Sequence, residues 1–195
     1  MTQSPGFTSV GSESRSHPSE LDFRPSNVVV YLDFDGVLHC DEVYWSPKTG
    51  IYMRTPGRTL FEWMPILEEL LAPYPDVKVV LSTSWVRVKG FGYAKKQLTP
   101  SLQSRVVGGT FHRREMRKYL FDSMSRGAQV HADVLRRRPR AWFAIDNDDK
   151  DWPASCRENL IKTEDRTGLS DPAIQAAICE RLALLETTRC PTQST

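Results

Sequence analysis

The stretch VVVYLDFDGVLH, residues 28–39, joins an apolar run directly to two aspartates separated by one phenylalanine. Its first five residues have the continuous apolar character of a buried strand. Asp33 and Asp35 follow at once, although a carboxylate beside a hydrophobic core is costly unless something neutralises its charge. In an extended chain the two carboxylates project to the same side, while Phe34 points the other way into packing. The stretch therefore predicts a buried strand that ends in a pair of carboxylates, and Gly36 permits a sharp turn after them.

Short apolar runs alternate with longer periodic stretches along the rest of the chain, which is typical of βαβ units and a mainly parallel sheet. After the first strand, the predicted strands lie in VKVVLSTSW (77–85), at Val106–Val107, in AWFAIDNDD (141–149) and in LIKT (160–163), and the predicted helices lie near 60–71, over 112–124, over 128–138 and over 168–186. Gly127 is expected to end or interrupt the basic helix of residues 112–124. Two short strands, 43–45 and 51–53, form a predicted hairpin. We expect a three-layer α/β sandwich of Rossmann-like type with a central parallel sheet and at most this hairpin as a cap.

Length and composition set the limits of this fold. A chain of 195 residues is most economically one domain, which we expect over residues 27–186. Residues 1–26 are rich in Ser, Pro and Gly and predict a flexible leader, with a partner-binding tail as the alternative, and residues 187–195 predict a flexible C-terminal tail. The 26 basic and 24 acidic residues nearly balance, so composition alone does not indicate a dedicated polyanion binder.

The cysteines and the hydropathy pattern bear on location. The four cysteines are far apart and lack the spacing of a zinc site or of a dense disulfide scaffold. No run approaches the roughly 20 apolar residues of a membrane span, and the first residues lack the apolar segment of a signal peptide. We therefore expect a cytoplasmic protein that does not interact with membranes.

Three of the predicted strands end in side chains that a site can use. Asp33 and Asp35 follow the first strand, the hydroxyls of residues 82–84 (STS) follow the second, and residues 146–149 (DNDD) follow a later one. The ligand crevice of an open parallel sheet lies outside the carboxyl ends of its strands, so these groups are expected to converge. Mg²⁺ typically takes one or two carboxylates together with waters and phosphate oxygens, and it would neutralise the acids beside the core. Two close carboxylates can also divide the work of nucleophile and general acid.

The motifs DFDGVLH and VVLSTSW, a basic residue in a later helix, and AIDNDD occur in the order and rough spacing of one known group of enzymes. On these motifs the chain resembles the haloacid dehalogenase (HAD) superfamily of phosphohydrolases, over residues 27 to about 186. Within it, LSTSW and IDND followed by Trp152 are most similar to the small HAD domains associated with bacterial RNA-repair proteins. The resemblance implies a Mg²⁺-dependent phosphatase that works through an aspartyl phosphate.

The resemblance also implies roles for individual residues. Asp33 would be the nucleophile, and Asp35 would protonate the leaving group and then activate water. Ser82 matches the hydroxyl that binds the phosphoryl group, with Thr83 and Ser84 as alternatives.

The metal ligands follow from the same resemblance. Asp146 matches the principal acidic ligand of Mg²⁺, which the side chain of Asp33 and the backbone carbonyl of Asp35 would complete. The family often has a second acid after the first. Because Asn147 stands at the adjacent place, either Asp148 or Asp149 takes that part, and Asp149 is included in the predicted metal site.

The basic residue that neutralises the phosphoryl group is expected in the helix of residues 112–124, where the usual lysine of the superfamily is not obvious. Arg114 is our first choice and Arg113 our second, ahead of Arg117 and Lys118. An arginine is chemically adequate because its planar guanidinium holds two phosphate oxygens at once.

The substrate and the partners stay open at this level. A site with no large cap favours a bulky phosphorylated substrate, such as a nucleic-acid end or a phosphoprotein, and a nucleotide also fits. The run RRRPR (136–140) would form a phosphate-backbone stripe or a solvated helix end, and Trp45, Tyr52 and Phe91 would stack on a base or simply pack. Two alternative functions are a non-catalytic module that binds nucleic acid or another partner, and a metal-dependent nuclease or nucleotidyl transferase without an aspartyl intermediate.

Overall fold

A five-stranded sheet forms the centre of the computed structural model, which describes residues 28–187. The predicted leader, and the predicted C-terminal tail apart from its first residue, lie outside the described residues. The strands are β1 (Val28–Leu32), β2 (Val43–Ser46), β3 (Gly50–Met53), β4 (Lys78–Leu81), β5 (Val106–Gly109), β6 (Ala141–Asp146) and β7 (Leu160–Lys162). The helices are α1 (Met64–Leu71), α2 (Ser84–Lys89), α3 (Phe91–Lys96), α4 (Pro100–Arg105), α5 (Lys118–Asp122), α6 (Arg126–Arg137) and α7 (Pro172–Thr187), with short 3-10 helices at Ala154–Asn159 and Gly168–Ser170.

The sheet has the order β5-β4-β1-β6-β7, and every neighbouring pair in it is parallel. Leu32, the last residue of the central strand β1, is level with Leu81 of β4 on one side and Ile145 of β6 on the other. The ladder continues one step further, because the N–H of Ser82 donates to the carbonyl of Leu32 (2.8 Å) and the N–H of Asp33 donates to that of Ile145 (3.1 Å). The register therefore delivers the polar strand ends to one edge of the sheet, as predicted.

Apolar layers cover both faces of the sheet, which gives the predicted three-layer sandwich. The alternating side chains of β1 divide between the layers: Val30 and Leu32 face one core, and Val29 and Tyr31 face the other. The first core packs against α1, α2, α3, α4 and α7, and the second packs against α6 and the segment that carries Trp152. The site edge is thus held by strands that are buried on both sides.

The hairpin expected over residues 41–55 is present as the antiparallel pair β2-β3. It forms a two-stranded sheet of its own, separate from the central sheet. Among the described residues, this hairpin is the only strand structure inserted between β1 and α1. The expectation of a small flap without a large cap is therefore confirmed for that part of the chain.

The helices differ from the prediction in three respects. Helices α2, α3 and α4 lie between β4 and β5, where no helix was predicted. The basic helix expected over residues 112–124 is shorter, because only Lys118–Asp122 is α-helical and the preceding residues form turns. Gly127 does not end a helix but lies inside α6, which begins one residue before it. A glycine is needed there because a Cβ would lie 2.6 Å from the Trp152 indole ring, which packs against the helix backbone.

No helix within residues 28–187 combines the length and the apolar character that crossing a membrane would require.

Candidate functional site

Two buried carboxylates and one guanidinium form the centre of the site. Asp33 follows β1 and Asp146 ends β6, and their residues are only 4% and 1% exposed. Arg126, the first residue of α6, reaches both: its Nη2 lies 3.4 Å from Asp33 Oδ2, and its Nε lies 3.4 Å from Asp146 Oδ2. Arg126 also donates to the backbone carbonyl of Ser82. One positive side chain is therefore shared between carboxylates from two adjacent strands and the end of a third.

The charges in this cluster do not balance. Burial raises the pKa of Asp33, and repulsion from Asp35 adds to the effect while Arg126 opposes it. Burial and then repulsion from Asp33 raise the pKa of Asp146 well above its usual value. Although burial alone would lower the pKa of Arg126, the surrounding carboxylates raise it. A further cation is required for both acids to be fully ionised in so dry a place.

Three buried polar atoms of the cluster have no hydrogen-bond partner: Ser82 Oγ, Arg126 Nε and Asp146 Oδ2. Buried polar atoms are normally paired, so a convergence of unpaired ones points to a ligand. The set contains two donors and one carboxylate acceptor, which are the groups that a phosphate and a cation would use.

The oxygen atoms of this cluster suit the magnesium ion that the sequence predicts. No group of three or more His, Cys, Asp or Glu side chains that could hold a metal ion is found within residues 28–187. Mg²⁺ does not need one, because it is commonly bound by one or two carboxylates and keeps its remaining positions for water and phosphate oxygens. Asp33 and the unpaired oxygen of Asp146, with the backbone carbonyl of Asp35, therefore fit this ion.

Asp35 is held by two aromatic side chains. The indole N–H of Trp85 in α2 lies 3.1 and 3.0 Å from the two carboxylate oxygens, and Nε2 of His39 lies 3.0 Å from Oδ1. The backbone N–H of Phe61 donates to Nδ1 of His39 (3.2 Å), so Nε2 carries the proton and donates to Asp35. His39 is fully buried, whereas the Asp35 side chain is 21% exposed. Asp35 is thus a fixed carboxylate that still faces the solvent-accessible side of the site.

The turn after β1 and the strained residue Phe61 support this arrangement. Gly36 has φ +69°, and a Cβ there would lie 2.5 Å from the Asn147 side chain, so the predicted sharp turn requires glycine. Phe61 has φ +63°, which is costly for a bulky residue. Its ring packs against His39, Phe34 and Trp85. The strain is therefore located where the backbone orients His39.

The hydroxyls after β4 have separate positions. Ser82 is buried and its Oγ is one of the unpaired atoms, as suits a group that binds an oxygen of the substrate. The Thr83 hydroxyl bonds to Asp33 and also accepts from the N–H of Trp85 (3.3 Å), so it caps α2. Ser84 lies in the first turn of α2 and borders the site. Thr83 therefore serves as a helix cap, whereas Ser82 remains available to a ligand.

The acidic loop after β6 separates into two parts. The N–H of Asp148 donates to Oδ1 of Asp146 (2.9 Å), and Asp148 borders a cavity beside Arg126. Asp149 instead pairs with Arg157 (2.9 Å) and Lys162 (3.6 Å), away from the buried cluster. The choice of Asp149 as a metal ligand is not supported by this geometry, because its carboxylate is already satisfied by two cations. Asp148 is the acid that remains near the site.

The basic residue at the centre of the cluster is Arg126 and not the predicted Arg114 or Arg113. No hydrogen bond or ion pair joins either predicted arginine to the carboxylates among the described residues, because the chain around them forms turns on another side of α2. A signal for Arg126 was available: in a βαβ unit the helix runs opposite to the strands, so α6 begins at the carboxyl edge of the sheet. Ser125 is a good N-cap and marks that beginning.

Two of the four arginines in the RRRPR run are already paired within the protein. Arg136 and Arg137 both pair with the buried Asp133, and the Tyr31 hydroxyl donates to the same carboxylate (3.0 Å). These two arginines therefore stabilise the packing of α6 on the sheet.

Two cavities beside the site share Ser84 on their borders. The hairpin cavity, about 440 Å³, is bordered by Asp35 and Trp85 and by the hairpin residues Tyr44 and Trp45. The Arg126 cavity, about 360 Å³, is bordered by Arg126 and Asp148 together with α5 and α6. Asp35 thus faces an apolar space, whereas Arg126 faces a polar one.

Comparison with known proteins agrees with this architecture. The family model described as "HAD domain in Swiss Army Knife RNA repair proteins" matches residues 29–174, which is about three quarters of the chain. No curated protein matches the chain, and no solved structure does. The match confirms both the resemblance to HAD phosphohydrolases and its narrower form. The chain therefore belongs to the family of HAD domains found in Swiss Army Knife RNA repair proteins.

Proposed function

We propose that the protein is a Mg²⁺-dependent phosphatase that hydrolyses a phosphomonoester through an aspartyl phosphate on Asp33. The observation that carries the proposal is the buried Asp33–Arg126–Asp146 cluster with its unpaired polar atoms. Membership of a HAD family supports the same reaction class. Such a cluster is poorly suited to a purely structural role, because the two carboxylates share a single guanidinium.

The chain's own residues supply the steps of the reaction. A carboxylate oxygen of Asp33 attacks phosphorus, and the bond to the leaving oxygen breaks as Asp35 gives that oxygen its proton. Asp35 then takes a proton from water, the water oxygen attacks phosphorus, and the bond to Asp33 breaks to release inorganic phosphate. Arg126 and Ser82 bind the phosphoryl oxygens throughout.

Asp33, Asp146 and the backbone carbonyl of Asp35 would hold the Mg²⁺ ion, with Asp148 as the acid that would support it. When bound, Mg²⁺ offsets the negative charge of the phosphoryl group and of the two buried carboxylates. Asp146 has one oxygen fixed by the N–H of Asp148, and the other has no hydrogen bond and only the longer 3.4 Å contact with Arg126 Nε, so that second oxygen is the one suited to bind the ion.

Trp85 and His39 are positioning residues for Asp35. Together they place two N–H donors on one carboxylate, so Asp35 is fixed at the border of the hairpin cavity. The leaving group lies on this side, because the acid that protonates it must be within hydrogen-bond reach. The hairpin cavity is therefore where the organic part of the substrate binds.

The aromatic border of this cavity favours a leaving group that carries an aromatic ring, such as a nucleoside. Trp45 is 56% exposed on the hairpin, and its ring borders the cavity with Tyr44. Bases stack on exposed aromatic rings of this kind. The description of the family, which refers to RNA repair proteins, supports a phosphorylated nucleic-acid end as the substrate.

The test is phosphate release from an aryl phosphate, measured with and without Mg²⁺ for the parent chain and for Asp33→Asn. We expect release that requires Mg²⁺ and is absent in the variant. If the folded parent releases no phosphate from aryl phosphates, nucleotides, phosphopeptides or phosphorylated oligonucleotides, the proposal is wrong and a non-catalytic binding module takes its place.

A further inference from the structure

A third cavity, which we call the basic cavity, adjoins the site and has no part in the reaction described above. It encloses about 530 Å³. None of its bordering residues is acidic. The border includes four cationic side chains and two phenylalanines, which are Arg87, Lys89, Arg113, Lys118, Phe91 and Phe111. A concave surface with one sign of charge concentrates counter-ions of the opposite sign.

The cations of the basic cavity are only partly neutralised within the protein. Arg87 pairs with Asp122 at 3.2 Å, and the Lys89 ammonium lies 4.6 Å from the centre of the Trp45 ring. Arg113 and Lys118 form no ion pair with an acidic side chain of residues 28–187. Two unpaired cations thus face a carboxylate-free space, which suits an anion from outside.

The position of the basic cavity relates it to the substrate. Helix α2 forms a wall of all three cavities. Ser84 borders the hairpin cavity and the Arg126 cavity. Lys89 borders the basic cavity and the hairpin cavity, and Arg87 borders the basic cavity and the Arg126 cavity. Six residues of helix span about 9 Å. The basic cavity is therefore linked to the catalytic side of the site along one short helix.

We propose that the basic cavity is a second phosphate site, which binds an internucleotide phosphate of a single-stranded nucleic acid whose terminal phosphate is in the catalytic site. The inference rests on the proposed function for the location of that terminal phosphate. Arg113 and Lys118 bind the internucleotide phosphate, and Lys89 links this site to the hairpin cavity. The preferred substrate is then an oligonucleotide and not a free mononucleotide.

The exposed rings favour a nucleic-acid strand over a phosphorylated peptide. Trp45 and Phe91 are 56% and 38% exposed, and they border the hairpin cavity and the basic cavity respectively. A single strand offers a base and a phosphate at each step, so it can use rings and cations in alternation. A peptide with one phosphate would leave the second set of cations without a partner.

Binding is measured on full-length Asp33→Asn, so that no turnover interferes. The probes are a fluorescein-labelled single-stranded pentanucleotide with a terminal phosphate, in 5′ and 3′ forms, the corresponding mononucleotide, a nucleoside bisphosphate and a doubly phosphorylated peptide. We expect one form of the pentanucleotide to bind at least about tenfold tighter than the mononucleotide at low salt, with an affinity that falls steeply as salt is raised.

Charge variants identify the site. Adding Arg113→Gln and Lys118→Gln should lower the slope of log Kd against log salt by about 0.7, which is the value for the loss of one neutralised phosphate of a single strand. The matched control is Lys78→Gln with Lys96→Gln, which removes the same charge from residues that do not border any of the three cavities. It should leave the slope unchanged.

Several results would overturn the inference. One is a pentanucleotide that binds no tighter than the mononucleotide, and another is an equal effect of the two charge pairs. A nucleoside bisphosphate or a phosphopeptide that binds as tightly as the pentanucleotide would also overturn it. These results concern binding alone, whereas failure of the proposed function appears as absent phosphate release, so the two failures are distinguishable.

Discussion

Replacing Trp85 by phenylalanine tests how the proposed acid, Asp35, is held. The change removes the indole N–H, which lies 3.1 and 3.0 Å from the two carboxylate oxygens, and leaves His39 as the remaining side-chain donor. A hydrogen bond to a charged group contributes about 1.5–3 kcal/mol. If that contribution is expressed in the transition state, kcat/KM falls about tenfold to 150-fold.

The loss should depend on the leaving group. An alkyl phosphate needs a proton on its leaving oxygen, whereas p-nitrophenyl phosphate has a good leaving group and needs it far less. We therefore expect Trp85→Phe to lower kcat/KM for an alkyl phosphate by the full factor and for p-nitrophenyl phosphate by much less. Steady-state phosphate release on both substrates measures the difference.

Trp142→Phe is the matched control, because Trp142 lies near the start of β6, at the edge of the sheet opposite to the site. It makes the same change of ring size without touching Asp35. Circular dichroism establishes that both variants are folded. If Trp85→Phe loses no more activity than Trp142→Phe, or loses the same factor on both substrates, the assignment of Asp35 as an acid positioned by Trp85 is refuted.

Four further predictions concern the buried cluster and the turn. Asp146→Asn should raise the free energy of unfolding without Mg²⁺, by about 1.4 kcal/mol for each unit by which burial raises the pKa of Asp146, because the neutral amide avoids the cost of a buried charge. In thermal melts it should also lose the stabilisation by Mg²⁺ that the parent shows, and the opposite pattern would contradict a metal site. In the parent without Mg²⁺, the free energy of unfolding should fall as pH rises above the ordinary carboxyl pKa of 3.8, because folded Asp33 and Asp146 keep protons that the unfolded chain releases. A rise in the free energy of unfolding over this pH range would count against the raised pKa values. Arg126→Gln should lower kcat/KM about 10²–10³-fold and Arg126→Lys less, while Arg114→Gln should lose far less than either, and equal losses would restore the assignment made from the sequence. Gly36→Ala should destabilise the fold by about 1–3 kcal/mol or more, whereas Gly57→Ala, at a similar φ of +78° but with nothing within 4 Å of the added Cβ, should cost less; equal melting temperatures would show that the contact at Gly36 is unimportant.

The fold was accessible from the sequence because local and global signals agree. The apolar run of β1 is buried on both faces, and the acids directly after it mark the carboxyl edge of a parallel sheet. Asp33, Ser82 and Asp146 could be predicted to meet because parallel strands of similar register deliver their ends to one edge. No knowledge of side-chain contacts was needed for that conclusion.

The sequence points to the wrong basic residue because its charge density and its topology favour different arginines. Arg113 and Arg114 lie in a strongly basic stretch, but the chain there forms turns and approaches the basic cavity instead. Arg126 stands beside a glycine, which weakened the helical pattern although Gly127 is required by the packing of Trp152. Tertiary packing overrode local propensity at this point.

The hydrogen bonds that hold Asp35 could not be predicted from the sequence either. His39 and Trp85 are far apart in the chain, and both are buried beside apolar residues, so the sequence does not distinguish them from core residues. Their roles follow from the turn at Gly36, which brings His39 back under Asp35, and from the Thr83 cap, which orients the first turn of α2. Contacts of this kind depend on side-chain geometry that periodicity does not encode.

The most direct measurement of the central claim is a search for phosphate bound covalently to Asp33. The parent chain would be mixed with a hydrolysed substrate and Mg²⁺, quenched in acid during turnover, and digested for mass spectrometry. The account predicts one phosphoryl group on the peptide that contains Asp33, and neither the adduct nor turnover in Asp33→Asn. Turnover in Asp33→Asn, or rapid parent turnover with no adduct at any quench time, would contradict the account and favour direct attack by water as in a metal-dependent nuclease.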